Sequence, residues 1–152
     1  MRAVSARMWS DPTHDDIEKE ESFVGTRLRA LVAEHDVALR RRVSEALMRD
    51  GFVVSHARDG FELIEILQAT MSEEGSGPEL IFADLTLPGF GGLDALRALR
   101  AVLPDALLLV TSPERDASTL AAAHAAGVYD VLAQPIDLTA LHAALACVPM
   151  RD

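Results

Sequence analysis

The chain has 152 residues, 49% of them apolar, with one cysteine and a formal net charge of −10. The length suits one domain of ordinary size, and the acidic balance argues against sequence-independent binding of nucleic acid or anionic lipid. Cys147 stands alone, so an internal disulfide is excluded. No apolar run reaches the length of a membrane span, and Met1 to Arg7 lacks the apolar core of a signal peptide. A soluble, cytoplasmic protein with protein partners is expected.

Residues 1–26, acidic around Asp15-Asp16-Ile17-Glu18-Lys19-Glu20-Glu21, are expected to form a disordered or loosely docked extension to a domain spanning 27–149. Leu28 to Ala33 is a short apolar strand, followed by a helix over 37–49 with Leu39, Val43, Ala46 and Leu47 at helical spacing, ended by Asp50-Gly51. Phe52 to Ser55 is a second strand, and Gly60 to Thr70 a helix carrying Phe61, Ile64 and Leu67 on one face. A Ser/Glu/Gly-rich loop over 71–78 leads into the strand Leu80 to Ala83. Gly91 to Leu103 is a helix stopped before Pro104, and Leu107 to Val110 a fourth strand. An Ala-rich helix starting at Ser112-Pro113-Glu114 runs to Gly127, Val128 to Ala133 is a fifth strand, and Asp137 caps the last helix. That helix ends close to the C-terminus, so no output domain is expected after it.

Five strand-helix alternations in about 120 residues imply a doubly wound parallel sheet covered on both faces rather than a barrel of twice the length. In such a sheet the carboxyl ends of the strands share one rim. The first strand delivers Glu34-His35-Asp36 to it, the third Asp84, the fourth Thr111-Ser112 and the fifth Gln134-Pro135. Acids, a hydroxyl and an amide gathered there suit a cation, a phosphoryl group, or both.

Leu31 to Asp36, Asp59-Gly60, Leu80 to Gly92 with Asp84 inside, Leu109 to Ser112, Ala126-Gly127 and Gln134-Pro135 stand in order at the spacing of one family. The chain resembles the receiver domain of two-component response regulators over about Arg29 to Ala146. The resemblance implies a flavodoxin-like, five-stranded parallel sheet of order 2-1-3-4-5 and a stand-alone receiver in a phosphorelay. Asp84 is then the phosphoacceptor, Thr111 the hydroxyl that binds the phosphoryl oxygen, and the Gln134-Pro135 bond a cis peptide. Mg²⁺ is the implied cofactor, held by Glu34 and Asp84. A sensor histidine kinase or phosphotransfer protein is the implied donor. A downstream protein is the target, and a homodimer through the helix-four to helix-five face is a further expectation.

Two departures weaken that chemistry. His35 stands where the family has its second metal-binding acid, and an imidazole is a poor ligand for Mg²⁺. Gln134 stands where the family has a lysine, and the only lysine in the chain is Lys19. Arg58 and Arg115 are the cations that could reach in instead. Val131 occupies the position of the aromatic switch residue, with Tyr129 two residues earlier and expected on the same strand face. The rival reading is a phosphorylation-independent pseudo-receiver, a protein-protein interaction module. An enzyme is not expected: no Gly-rich phosphate loop precedes a helix, and Thr86 stands where a haloacid-dehalogenase-type phosphatase needs its second Asp.

Overall fold

A computed structural model describes residues 9–10 and 28–146. In chain order the elements are β1 (Trp9–Ser10), β2 (Arg29–Ala33), α1 (Val37–Arg49), β3 (Val53–Ala57), α2 (Gly60–Glu74), β4 (Leu80–Asp84), α3 (Gly92–Val102), β5 (Leu107–Ser112), α4 (Ala117–Ala125), β6 (Asp130–Ala133) and α5 (Leu138–Ala146). The sheet order is β1-β3-β2-β4-β5-β6. The five strands from β2 onward are all parallel, which is the expected flavodoxin-like order 2-1-3-4-5 counted from β2. Of the extension expected over 1–26, only Trp9 and Ser10 are described. They pair antiparallel with Ser55 and Val54 as a sixth strand at the sheet edge. The rest of that extension, and the domain end at 147–149 with Cys147, lie outside the described residues.

Strand alternation sorts the core into two layers. Leu80 and Phe82 of β4 pack with Val43 and Leu47 of α1 and Leu141 of α5. Ile81 and Ala83 pack on the other side with Leu63 and Leu67 of α2, Leu96 and Leu99 of α3 and Ala123 of α4. Every residue of β4 is buried, as a central parallel strand requires. Burying side chains of the size of Phe82 or Leu96 contributes about 1.5–3 kcal/mol each, and that burial fixes where the polar strand ends emerge.

The helices begin where short side chains satisfy free amides. Asp36 accepts from Leu39 N at 2.9 Å, Asp59 from Glu62 N at 2.9 Å and Asp116 from Thr119 N at 2.8 Å. The two largest boundary differences from the sequence reading are in helices. Helix α2 continues to Glu74, four residues beyond Thr70, because Thr70 and Met71 still pack inward and the first left-handed residue is Gly75, at φ 82°. Helix α4 starts at Ala117 rather than Ser112. Ser112 belongs to β5 and its Oγ accepts from Glu114 N at 3.1 Å, which makes a turn before the Asp116 cap.

Two contacts set the ends of the sheet. At the end where β2 begins, the Arg29 guanidinium reaches Ser76 Oγ at 3.0 Å and Glu79 Oε2 at 3.3 Å, and Arg29 N donates to Glu79 Oε1 at 2.7 Å. At the opposite end Gly60 N donates to Pro88 O at 2.8 Å, and a Cβ at Gly60 would overlap the Gly89 carbonyl. Only a glycine lets the start of α2 lie this close to the loop after β4.

Candidate functional site

Asp84 is the last residue of β4 and pairs in register with Thr111 on β5. Both are buried at the strand ends, with Asp84 9% exposed and Thr111 fully covered. Oδ1 of Asp84 accepts three hydrogen bonds: Thr86 N at 2.8 Å, Thr86 Oγ1 at 2.7 Å and Gln134 Nε2 at 2.9 Å. Gln134 Nε2 also donates to Thr111 Oγ1 at 3.0 Å. The amide therefore bridges the strand-end carboxylate and hydroxyl, and the Gln134-Pro135 bond beside it is cis. All three donors to Oδ1 are neutral, so the carboxylate's charge strengthens these bonds but none of them brings a positive charge to it.

Glu34 follows β2 and is 3% exposed. Its Oε2 accepts from Asp36 N at 3.0 Å, while Oε1 is buried with no hydrogen-bond partner. Burial raises its pKa above the ordinary 4.5, the amide of Asp36 works the other way, and the charge of Asp84 raises it further. Two neighbouring acids, one with an unpartnered buried oxygen, are a donor set that suits a hard, oxygen-seeking cation. Mg²⁺ in such sites keeps several waters and takes only one or two carboxylates.

The other sequence candidates sit elsewhere. His35 is exposed, with Nδ1 3.3 Å from Arg58 O, and among the described residues no three His, Cys, Asp or Glu side chains converge on a metal position. His35 therefore does not join Glu34 and Asp84. Asp36 spends its carboxylate on the α1 cap. Arg58 pairs with Glu62 at 3.1 Å, and Arg115 Nε donates to Val131 O at 3.1 Å, so neither is aimed at Asp84. Tyr129 does not share a face with Val131: it precedes β6, where alternation does not yet hold, and packs on the α1/α5 side while Val131 packs on the α2–α4 side.

Two contributors were missed in the sequence. Thr86 reads in the sequence only as a missing acid, although an Asp side chain commonly accepts from the backbone N–H two residues on, and here the Thr86 hydroxyl joins that bond. Arg40 stands in the run Arg40-Arg41-Arg42, which by composition alone reads as a solvated face of α1. Its NH1 instead donates to Glu34 O at 2.8 Å and holds the loop that carries Glu34. No local pattern marks that contact.

The response regulator receiver domain model matches residues 30–146. A protein-glutamate methylesterase/protein-glutamine glutaminase of Myxococcus xanthus is 37% identical over 112 residues, which cover 72% of this chain and 30% of that protein. A solved signal receiver domain of a response regulator from Bermanella marisrubri is 30% identical with a TM-score of 0.63, covering 80% of this chain and 97% of that one. A response regulator from Burkholderia pseudomallei, solved with a phosphorylated aspartic acid, a calcium ion and citrate, is 26% identical with a TM-score of 0.65, covering 78% of this chain and 66% of that one. The chain spans about half or less of the length of its curated relatives. It belongs to the response regulator receiver domains of two-component signalling.

Proposed function

We propose that this receiver accepts a phosphoryl group on Asp84 from a histidine kinase or phosphotransfer protein, with chemistry weakened because the neutral Gln134 stands where the family has a lysine. The observation that carries the reading is the Gln134 amide, placed within hydrogen-bond reach of both Asp84 and Thr111. With Oδ1 saturated by three donors, the second carboxylate oxygen is the one free to attack phosphorus. Thr111 stands in register beside it to meet a phosphoryl oxygen. Glu34 and Asp84 would hold Mg²⁺, which supplies charge neutralisation on the phosphoryl oxygens when bound. The Burkholderia pseudomallei relative, with its phosphorylated aspartic acid and calcium ion, supports the same pairing of acceptor and divalent cation.

A second reading, a binding module that works without phosphorylation, is favoured by one specific observation. Phosphoryl transfer depends mainly on electrostatic stabilisation, and the two arginines considered as substitutes are engaged elsewhere. Intact-mass measurement after incubation with Mg²⁺ and acetyl phosphate separates the two. A species heavier by one phosphoryl group, absent from Asp84→Asn, is expected. No adduct, together with no Mg²⁺-dependent change in the amide resonances around Asp84, would leave the binding module as the function.

A further inference from the structure

We propose that Arg40 is a positioning residue for the divalent cation: its guanidinium, spent on main-chain carbonyls, keeps the Glu34 carboxylate turned inward beside Asp84. The inference rests on the Mg²⁺ part of the proposed function and names the residue that holds one of the two acids in place. Glu34 is 3% exposed and its Oε1 has no hydrogen-bond partner. Burial and the charge of Asp84 both disfavour its ionised form. A carboxylate so placed gains by swinging out to water, and the contacts that oppose this lie in the backbone.

The main chain of Glu34 is held from two sides. Glu34 N donates to Ala57 O of β3 at 2.9 Å, and Arg40 NH1 donates to Glu34 O at 2.8 Å. The same NH1 lies 3.4 Å from His35 O, so one guanidinium nitrogen spans two successive carbonyls. With that peptide fixed, Asp36 N is presented to Glu34 Oε2 at 3.0 Å, and this bond sets the direction of the carboxylate. Arg40 is itself anchored in the first turn of α1, its N donating to Asp36 O at 2.8 Å beside the Asp36 cap. Both ends of the clamp thus lie within residues 34–40, which leaves it little slack.

Arg40 differs from Arg58 in what it bonds. Arg58 is paired with Glu62, whereas among the described residues no carboxylate lies within ion-pair distance of Arg40. His56 of β3 feels the Arg40 charge, which together with burial holds its pKa below the ordinary 6.5, so that neighbour is neutral near pH 7. The sign of the effect on a cation is therefore diagnostic. Removing a positive charge near the site would by itself tighten binding of a dication, by an amount that solvent and salt keep small. Removing a clamp on the carboxylate loosens it, and residues that orient metal ligands are typically worth about 10- to 100-fold in affinity. The clamp outweighs the charge.

The test is Mg²⁺ titration of the ¹⁵N-labelled full chain without phosphodonor, following the amides around Asp84, for wild type, Arg40→Met, Arg40→Lys and Arg41→Met. Arg40→Met is expected to weaken Mg²⁺ binding about tenfold or more while moving the thermal midpoint by no more than about 5 °C. Arg40→Lys keeps a charged donor for the Glu34 carbonyl and should bind Mg²⁺ within about threefold of wild type. Arg41→Met removes the same charge from an exposed position on the same helix and should stay within about twofold. In EDTA the Asp36 amide of Arg40→Met should exchange with solvent about fivefold faster or more, the worth of one hydrogen bond. If Arg40→Met proves unfolded, Arg40→Gln carries the same expectations. Unchanged or tighter Mg²⁺ binding by the folded variant, an equal loss in Arg40→Lys or Arg41→Met, or an unchanged Asp36 exchange rate would overturn the proposal and leave the acceptor reading standing. No Mg²⁺ response in the wild type would overturn it together with the Mg²⁺ part of that reading.

Discussion

Replacing Gln134 with lysine should put a positive charge where an amide now stands. The amide nitrogen lies 2.9 Å from Asp84 Oδ1 and 3.0 Å from Thr111 Oγ1, and a lysine nitrogen sits one bond further out, toward the open side of the rim. The carboxylate and the phosphoryl oxygens are anionic, so the amide already makes charge-assisted bonds. The lysine adds a positive charge, worth about 1–4 kcal/mol at about 4 Å for an effective dielectric between about 80 and 20. In the transition state, where charge spreads over the phosphoryl oxygens, even the lower figure corresponds to an increase in phosphorylation rate of about 5-fold. The assay is a time course of intact mass for wild type and Gln134→Lys with acetyl phosphate and Mg²⁺, beside thermal unfolding to establish that both are folded. Adding His35→Asp supplies a third acid after β2 and should tighten Mg²⁺ binding, read from the Mg²⁺ dependence of the same rate. A folded Gln134→Lys protein with an unchanged or lower rate would refute the argument that missing charge limits this site.

Two further outcomes follow from the geometry. In EDTA, Glu34→Gln should stabilise the protein near neutral pH, because it removes a carboxylate charge disfavoured by burial and by Asp84, and change it little near pH 4. The folded pKa of Glu34 is raised above 4.5, so the folded state binds the proton more tightly than the unfolded chain. Wild-type stability is therefore fullest below the ordinary value and is lost as pH rises through the folded pKa; urea titrations at the two pH values measure this, and a less stable variant at neutral pH would contradict it. Gly60→Ala, which in an ordinary helix would gain about 1 kcal/mol, should instead cost about 1–3 kcal/mol because its Cβ meets the Gly89 carbonyl. Thermal unfolding of that variant above the wild-type midpoint would mean the loop moves aside freely.

The architecture was legible because its signals are local. Leu80 to Ala83 has no polar residue, Asp36 and Asp59 stand just before apolar stripes, and Gly51 and Gly127 close helices, both at positive φ. Asp84, Thr111 and Gln134 were also legible, since a parallel sheet brings its strand ends together without any knowledge of side-chain packing. The rest depended on rotamers and distant contacts. The direction taken by His35, the engagement of Arg58 with Glu62 and the reach of Arg40 to a main-chain carbonyl are choices among several side-chain paths. Thr86 was nearer to being readable, because its bond to Asp84 spans two residues. The end of α2 was misjudged because Ser72, Glu73 and Glu74 read as a polar loop, while the positive φ belongs to Gly75.

The two ends of the sheet differ in how firmly they are tied. Where β2 begins, Arg29 fastens the α2–β4 connection through Ser76 and Glu79, and Leu107 N bonded to Glu79 O extends the tie to β5. That end is the natural place for a handle. A dye or surface linker at the exposed Asp105 would sit opposite the acceptor rim. It would leave Asp84 unobstructed for single-molecule or surface-binding measurements.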